Sequence, residues 1–253
     1  MKKILFASDL DNTLLFSYKH KKEGDICIEC LDGAEQGFCT LETLRLLEIV
    51  NKKTLLVPIT SRSIVQYERI SFPKTCKPEY ALTTNGAILL KNGVIDQDWL
   101  EESKKMVIPW LEELHVLERE MDGIAEIKRY RMIDGMYLFA ACETIEDAWI
   151  GKDYLQKKTK LNVYVSGRKI YIFPPGIDKG TALRRLSCLF GSEKIISAGD
   201  SSIDIPMLNF ADVAICPNDI QCNNSRKYVW EKDRGVNAFP EFVLNTVISE
   251  IKE

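Results

Sequence analysis

The sequence lacks any long basic run and any strong excess of charge of one sign. Its 34 lysines and arginines and its 37 aspartates and glutamates are spread along the chain and give a formal net charge of −3. Nucleic acids and anionic membrane surfaces attract proteins through concentrated positive charge. We therefore expect neither kind of partner and favour a small-molecule ligand, while the oligomeric state stays open.

Long hydrophobic runs are also missing. The first apolar stretch, within "MKKILFASDL", is interrupted by Asp9, which is too early for the apolar region of a signal peptide or for a membrane span. We therefore expect a cytoplasmic protein whose eight cysteines are reduced. A chain of 253 residues, 45% of them apolar, can bury a sizeable core without disulfides.

Clusters of cysteine and histidine with metal-ligand spacing are scarce. The C-x-x-C pair of Cys27 and Cys30 has neither a second such pair nor a close pair of histidines to complete it. A zinc or redox site is the alternative interpretation, but packing is the favoured one. His20 and His115 are interpreted as surface or helix-face residues.

What the sequence does contain is an alternation of short apolar runs and helical patterns. The runs are apolar throughout, as in parallel strands that are covered on both faces. They lie at 3–8, 54–60, 79–84, 194–199 and 212–217. Segments with helical periodicity lie between them, and two begin at candidate N-caps, Thr40 and Asp178. The alternation predicts an α/β fold with a Rossmann-like open parallel sheet.

The middle of the chain breaks this alternation. Long helical patterns occur at 98–120 and 144–160, and two alternating segments flank a Ser-Gly turn within 162–173. This predicts an inserted α+β cap domain. The predicted domains are a core formed by 1–87 and 175–253 and a cap formed by 88–174.

Two aspartates, Asp9 and Asp11, end the first predicted strand. Side chains two apart point to the same side, and ligands of open α/β sheets bind beyond the carboxyl ends of the strands. Two carboxylates about 5 Å apart repel by on the order of 3 kcal/mol at an effective dielectric near 20, so they need a cation, a shared proton or another compensating group. Mg²⁺ suits such oxygen ligands. The alternative is a simple Asx-type turn supported by Asn12 and Thr13.

Two further strand ends carry groups that suit phosphate. Thr60 and Ser61 could hold a phosphoryl oxygen by their hydroxyls and helix N-terminal amides, although either could simply cap the next helix. Lys179 lies in the first turn of a predicted helix, where its charge opposes the helix dipole. We therefore expect an anionic neighbour for Lys179, with an exposed surface lysine as the alternative.

A last pair of aspartates, Asp200 and Asp204, follows the strand at 194–199. Ser201 and Asp204 fit a capping box, which explains Asp204 by local structure alone. Asp200 has no such role, and a second metal-binding carboxylate accounts for it better.

Together these motifs resemble those of the haloacid dehalogenase-like hydrolases. D-x-D-x-T at 9–13, Thr60, Lys179 and G-D-x-x-x-D at 199–204 follow the order of the four motifs of that superfamily, over the whole chain. The position of the insert resembles the class II cap, subclass B, of Cof-like and sucrose-phosphatase-like phosphatases.

The resemblance implies a Mg²⁺-dependent phosphatase that forms an aspartyl-phosphate. Asp9 would be the nucleophile and Asp11 the general acid and base, while Thr60 and Lys179 would bind the transferring group. The implied metal ligands are Asp9, the backbone carbonyl of Asp11, Asp200 and, as an additional ligand, Asp204.

The substrate is expected to lie between core and cap, and a phosphorylated sugar or another small metabolite is favoured. The predicted substrate-binding residues are Ser61, Arg62, Asn85, Gly86 and Arg168, although an exposed basic turn explains Arg168 equally well. Two departures from the family pattern stand out. Ser61 replaces the usual glycine of the second motif, and Ile203 replaces the usual asparagine of the fourth.

Other functions remain open. A phosphotransferase or mutase of the same superfamily would use the same motifs, and a non-catalytic phosphate-binding regulatory protein would keep the pocket without turnover. A dehalogenase is disfavoured by Asp11, because that chemistry needs no acid at this position.

Overall fold

A five-stranded parallel sheet forms the centre of the protein in the computed structural model, which describes residues 4–231 and 238–252. Residues 1–3, 232–237 and 253, which the predicted core domain includes, lie outside the described residues. The strands are β1 (Ile4–Ser8), β5 (Leu55–Pro58), β13 (Lys194–Ala198), β14 (Val213–Pro217) and β15 (Lys227–Trp230). Their order in the sheet is β15-β14-β13-β1-β5.

Helices cover both faces of this sheet, which confirms the predicted α/β fold. Side chains alternate along β1, so that Phe6 packs into one apolar cluster while Leu5 and Ala7 pack into another. The first cluster is completed by α1 (Leu41–Lys53) and α8 (Phe239–Lys252), the second by α6 (Lys179–Phe190) and α7 (Ile205–Phe210). The N-caps of α1 and α6 are Thr40 and Asp178, as predicted.

One predicted strand pairs differently from the expectation. The run at 79–84 forms β6 (Tyr80–Thr83), which pairs antiparallel with β7 (Ile88–Lys91), and β8 (Val94–Ile95) completes this small sheet. A single parallel bridge between Ile59 and Leu82 links it to the end of β5. The fifth strand of the central sheet is instead β15, which the apolar pattern missed because this edge strand is only partly buried.

A second three-stranded sheet follows the first aspartate pair. It consists of β2 (Phe16–Ser17), β3 (Ile26–Leu31) and β4 (Ala34–Cys39), in the order β2-β4-β3. We call this sheet the flap. It places the C-x-x-C segment beside the site that Asp11 occupies.

The inserted segment carries a four-stranded antiparallel sheet. Its strands are β9 (Ile127–Ile133), β10 (Tyr137–Cys142), β11 (Asn162–Ser166) and β12 (Lys169–Phe173). Their order in the sheet is β11-β12-β10-β9. The hairpin of β11 and β12 is the one predicted at 162–173. We call this sheet the cap sheet.

The remaining helices are α2 (Ile64–Tyr67), α3 (Gln97–Val107), α4 (Leu111–Glu120) and α5 (Ile145–Gln156). The pattern at 98–120 therefore forms two helices, separated by a 3-10 turn at Pro109. The predicted domain boundary at residue 88 stays a prediction. Within the described ranges, no helix is both long enough and apolar enough to cross a membrane.

Polar contacts seat the cap sheet on the core. Asp134, in the turn between β9 and β10, accepts hydrogen bonds from the Thr84 hydroxyl at 2.5 Å and the Ile64 amide at 3.3 Å. The Tyr137 hydroxyl donates to the Ser61 carbonyl at 2.5 Å. These contacts bring one face of the cap sheet over the end of β5.

Gly86 follows β6 and packs closely against α6, and its replacement by alanine should be strongly destabilising. Its φ is +92°, and a Cβ there would lie 2.3 Å from the Ala182 Cβ. Strain and overpacking together should lower the free energy of unfolding by at least about 2 kcal/mol, measured by urea titration. Gly93→Ala is the matched control, because Gly93 also has positive φ (+83°) but open space around it. Equal losses in the two variants would refute the steric explanation.

Candidate active site

The pairing of β1 with β13 brings the distant aspartates together. Ser8 is opposite Ala198, and the Asp9 amide donates to the Ala198 carbonyl at 2.9 Å. The segments that follow these two strands therefore leave the sheet side by side. As a result Asp9, Asp200 and Asp204 each offer a carboxylate oxygen within 4.8 Å of the other two.

Lys179 lies among these carboxylates and is completely buried. Its Nζ donates to Asp9 Oδ1 and to Asp204 Oδ1, both at 2.5 Å. Burial alone would lower the pKa of Lys179, but the two carboxylates outweigh burial and raise it. The anionic neighbour that the sequence required for Lys179 is therefore a pair of carboxylates, and the lysine stays charged.

Asp204 holds the loop that carries Asp200. Its Oδ2 accepts from the amides of Asp200 and Ser201, at 3.1 and 2.9 Å, and from the Ser201 hydroxyl at 2.8 Å. This is the capping box expected from the sequence. Gly199 permits the close approach, because a Cβ there would lie 2.4 Å from the Asp204 Cβ. Both oxygens of Asp204 are thus engaged in positioning Lys179 and the Asp200 loop.

The carboxylate cluster is short of positive charge. Burial, with Asp204 and Asp11 nearby, raises the pKa of Asp9 to about 7 even though Lys179 opposes the shift. Burial and the charge of Asp9 raise the pKa of Asp200 well above its usual range. Among the described residues, Lys179 is the single cation in contact with the cluster. Three carboxylates with one ammonium group fit a divalent cation that prefers oxygen ligands.

The Asp11 side chain lies apart from this cluster and pairs with Arg62. The guanidinium donates through Nε to Asp11 Oδ2 at 2.9 Å and through Nη2 to Oδ1 at 2.7 Å. Arg62 also donates to Glu29 of the flap at 2.9 Å. Partial burial would raise the pKa of Asp11, but the hydrogen bonds and charge of Arg62 lower it overall. The structure therefore holds Asp11 as an ionised carboxylate.

Thr60 and Ser61 follow the end of β5 next to this ion pair. Thr60 is fully buried, and its hydroxyl oxygen accepts from the Arg62 amide at 3.1 Å. The hydroxyl proton is left available to donate. Ser61 is not among the residues with positive φ, so serine fits the position where the family pattern has glycine.

A cavity of about 480 Å³ opens between the core, the flap and the cap sheet. Asp11, Ser61 and Arg62 line it. Substrate contacts by Ser61 and Arg62 stay predictions. Several lining residues were missed, because no motif marks them. Those that carry charge or an aromatic hydroxyl are Tyr18, Glu29, Arg69, Arg129, Tyr130, Arg131, Tyr137 and Tyr171. Lys169, which the sequence places next to Arg168 at the tip of the predicted hairpin, lines the cavity as well.

Other predicted substrate residues lie elsewhere. Asn85 is buried, and its Nδ2 donates to the Ile177 carbonyl at 3.2 Å. The Gly86 carbonyl accepts from the Trp99 indole at 3.1 Å. Neither residue lines the 480 Å³ cavity. Arg168 lines a neighbouring cavity of about 710 Å³ that also contains Asp200. Substrate contacts by Asn85, Gly86 and Arg168 stay predictions.

Cys30 does not pack as the favoured interpretation expected, because it is exposed, whereas Cys27 is partly buried. Their sulfurs lie 3.7 Å apart. In the described ranges, the clusters with metal-ligand geometry include no cysteine or histidine. Glu29, between the two cysteines, is the residue of this segment that reaches the cavity.

Ile203 is buried in the apolar cluster that includes the inner side of the cap sheet. The hydroxyl of the preceding residue, Ser202, donates a hydrogen bond to the Val165 carbonyl of β11 at 3.3 Å. The isoleucine that departs from the family pattern therefore packs against the cap.

Comparisons with known proteins agree with this fold. A family model described as haloacid dehalogenase-like hydrolase matches residues 118–219. The structure is similar to a sucrose-phosphatase from Synechocystis sp. (17% identity, TM-score 0.66, covering 100% of this chain and 99% of that chain). It is also similar to the C-terminal domain of a trehalose-6-phosphate phosphatase from C. albicans (13%, 0.64, 99% and 92%). A haloacid dehalogenase-like hydrolase from B. subtilis matches as well (17%, 0.58, 95% and 99%). No curated protein sequence matches the chain.

The family model supports the resemblance to haloacid dehalogenase-like hydrolases over residues 118–219. The fold is shared over nearly the full length of this chain and of each of the three solved structures. At 13–17% identity, the likeness to these structures concerns the fold. The activity is argued from the site itself.

Proposed function

We propose that this protein is a Mg²⁺-dependent phosphatase that hydrolyses a small phosphorylated metabolite through an aspartyl-phosphate on Asp9. The observation that carries the proposal is the convergence of Asp9, Asp200 and Asp204 at the carboxyl edge of the sheet. A structural role alone would not gather two buried carboxylates and a half-buried one beside a single lysine, because their mutual repulsion and desolvation are costly.

Asp9 is the group best placed to attack phosphorus. Its Oδ1 is held by Lys179, so that the second oxygen can face a phosphoryl group. In the first step this oxygen forms a bond to phosphorus, and the bond between phosphorus and the ester oxygen breaks. Lys179 and the Thr60 hydroxyl would bind the phosphoryl oxygens, whose charge is the main demand on the protein.

Asp11 would handle the protons. In the first step it gives a proton to the leaving oxygen, and in the second it accepts one from the water that attacks phosphorus and frees Asp9 and inorganic phosphate. The ion pair with Arg62 favours the ionised form, which is the one the second step needs. The first step needs a protonated Asp11, so the Arg62 contact must loosen when substrate binds.

A bound Mg²⁺ would supply positive charge to the phosphoryl oxygens and lower the repulsion between phosphate and nucleophile. Asp9, Asp200 and the Asp11 backbone carbonyl would hold the ion. Asp204 would act mainly on Lys179 and the Asp200 loop, since both of its oxygens already accept hydrogen bonds.

A sugar phosphate is the proposed substrate class. Two of the similar structures are described as phosphatases of sugar phosphates, one of them in complex with sucrose and phosphate. In this chain, tyrosine hydroxyls and polar side chains line the 480 Å³ cavity beside Asp11. Such groups suit a small ligand that carries hydroxyls.

The proposal is tested by phosphate release from a panel of phosphorylated sugars and an aryl phosphate, with Mg²⁺ and after its removal by a chelator. We expect release that falls at least about a hundredfold on chelation, because the carboxylates then repel the phosphoryl group, and that returns when Mg²⁺ is restored. Release that is unchanged by chelation would refute the metal role. Phosphate transfer to added alcohols without release would favour a phosphotransferase.

A further inference from the structure

The cavity between core and cap carries more positive charge than the reacting groups require. Five cationic side chains line it, against the two carboxylates of Asp11 and Glu29. Both carboxylates pair with Arg62. Across 4–231 and 238–252, the other four cations have no carboxylate within the 4 Å of an ion pair: Arg69, Arg129, Arg131 and Lys169.

Strand register places two of these cations on either side of a small residue. Arg129 of β9 is opposite Ala141 of β10, which is opposite Lys169 of β12. Because residues in one cross-strand row point to the same face, the two long side chains flank the Ala141 methyl group. Their Cα atoms are two strand spacings apart, roughly 10 Å. An anion above Ala141 is within reach of both.

The neighbouring row on the same face of the cap sheet has large side chains at all three positions. It consists of Arg131, Phe139 and Tyr171, which lie opposite one another on the three strands. The Phe139 and Tyr171 rings pack edge to face at 5.5 Å, and the Arg131 guanidinium lies 5.9 Å from the Phe139 ring. Aromatic groups therefore occupy the middle of that row, whereas the row of Ala141 keeps an open space between two cations.

The same two cations line both large cavities. Arg129 and Lys169 belong to the 480 Å³ cavity that contains Asp11 and to the 710 Å³ cavity that contains Asp200. They thus lie between the proton-transfer side and the metal side of the candidate active site. The opposite face of the cap sheet is apolar and buried, with Leu138, Ala140 and Ile170 in the core cluster. Arg129, Arg131 and Lys169 therefore extend from the other face of the sheet, towards the 480 Å³ cavity.

We propose that Arg129 and Lys169 bind a second anionic group of the substrate, a carboxylate or a further phosphate, above Ala141. This inference rests on the proposed phosphatase function and deepens it. The substrate class becomes small phosphorylated metabolites that carry another negative charge away from the transferred phosphoryl group. The reacting phosphoryl group has its own cation in Lys179, which contacts Asp9, so the cap cations are available for the second group.

The test compares substrates that differ in one anionic group. Glucose 6-phosphate is paired with 6-phosphogluconate for the carboxylate, and fructose 6-phosphate with fructose 1,6-bisphosphate for the phosphate. We expect kcat/KM to be at least about tenfold higher for the more anionic member of one pair, mainly through KM, because a charge-assisted contact to a second group adds binding energy. The pair that shows the preference identifies the kind of anion.

Variants then assign the preference to residues. Arg129→Gln and Lys169→Gln should each reduce the preference about tenfold, because each removes one charged donor. Arg119→Gln is the control, since Arg119 is an exposed cation of α4 that lines neither cavity, and it should keep the preference. No preference in the parent protein, or equal losses for both members of a pair in the two variants, would overturn the inference.

Binding to Asp9→Asn, measured by calorimetry, separates this inference from the proposed function. If the aryl phosphate is not hydrolysed by the parent protein, the phosphatase proposal fails. Tighter binding of the more anionic member, weakened by Arg129→Gln in the same background, still supports the second anion site. Equal binding of both members refutes the site even if the aryl phosphate is hydrolysed.

Discussion

Asp9→Asn should lower phosphate release by at least about a thousandfold, because an amide oxygen is a far weaker nucleophile than a carboxylate. Asp9 is 7% exposed and hydrogen-bonded to Lys179, so asparagine has nearly the same shape in the same place. A substrate labelled with ³²P should leave label on the acid-quenched parent protein and none on the variant. The rate of phosphate release and the label on the protein both depend on the same bond, which forms between an Asp9 oxygen and phosphorus.

The control for this prediction is Asp153→Asn, which removes an exposed carboxylate of α5 that lines neither cavity. It should release phosphate at the parental rate. Circular dichroism and a thermal melt check that Asp9→Asn is folded. If the folded Asp9→Asn variant released phosphate within a few fold of the parent, Asp9 would not be the nucleophile.

Lys179→Met should destabilise the protein more than any other single change proposed for the site. The lysine is fully buried and paired with Asp9 and Asp204. Removing one partner of such a group leaves buried carboxylates without compensation, which costs about 3–5 kcal/mol. For a chain of this length the expected fall in melting temperature is about 10 °C. The measurement is a thermal melt in the absence of divalent ions.

Mg²⁺ should restore more stability to Lys179→Met than it adds to the parent protein. Without the ammonium group the carboxylate cluster is more negative and attracts a dication more strongly, and a ligand that binds only the folded state stabilises it by mass action. Lys104→Met is the control, because Lys104 forms an exposed ion pair with Glu101. Exposed ion pairs of this type contribute at most about 1 kcal/mol to the free energy of unfolding. A Lys179→Met variant that melts with the parent would contradict the buried-charge account.

The sequence alone supported a large part of the fold. The continuous apolar runs at 3–8, 194–199 and 212–217 became β1, β13 and β14 of the parallel sheet, because strands covered on both faces need apolar side chains at every position. The N-caps Thr40 and Asp178 could be predicted for a similar reason, since capping depends on residues within one turn. The pairing of strands could be predicted less well. The run at 79–84 turned back on β7, which strand composition does not encode.

The motifs of the site were also in the sequence, since they lie in short segments at strand ends. What the sequence could not show is which groups meet across the fold. Glu29 lies 33 residues from Arg62 and reaches it only because the flap folds over the end of β5. No pattern distinguishes Glu29 from the exposed charges around it. Likewise, Lys169 rather than Arg168 lines the cavity beside Asp11, because Lys169 begins β12 in the row of Ala141, whereas Arg168 lies in the turn before that strand.

The sequence by itself determined the class of fold and the supply of carboxylates, hydroxyls and one lysine at the strand ends, since these depend on local pattern. The tertiary structure decided how they are used. It placed Lys179 between Asp9 and Asp204, paired Asp11 with Arg62, and set Arg129 and Lys169 on either side of Ala141. Those contacts join residues up to 170 positions apart, and only the packing of strands, flap and cap sheet fixes such distances.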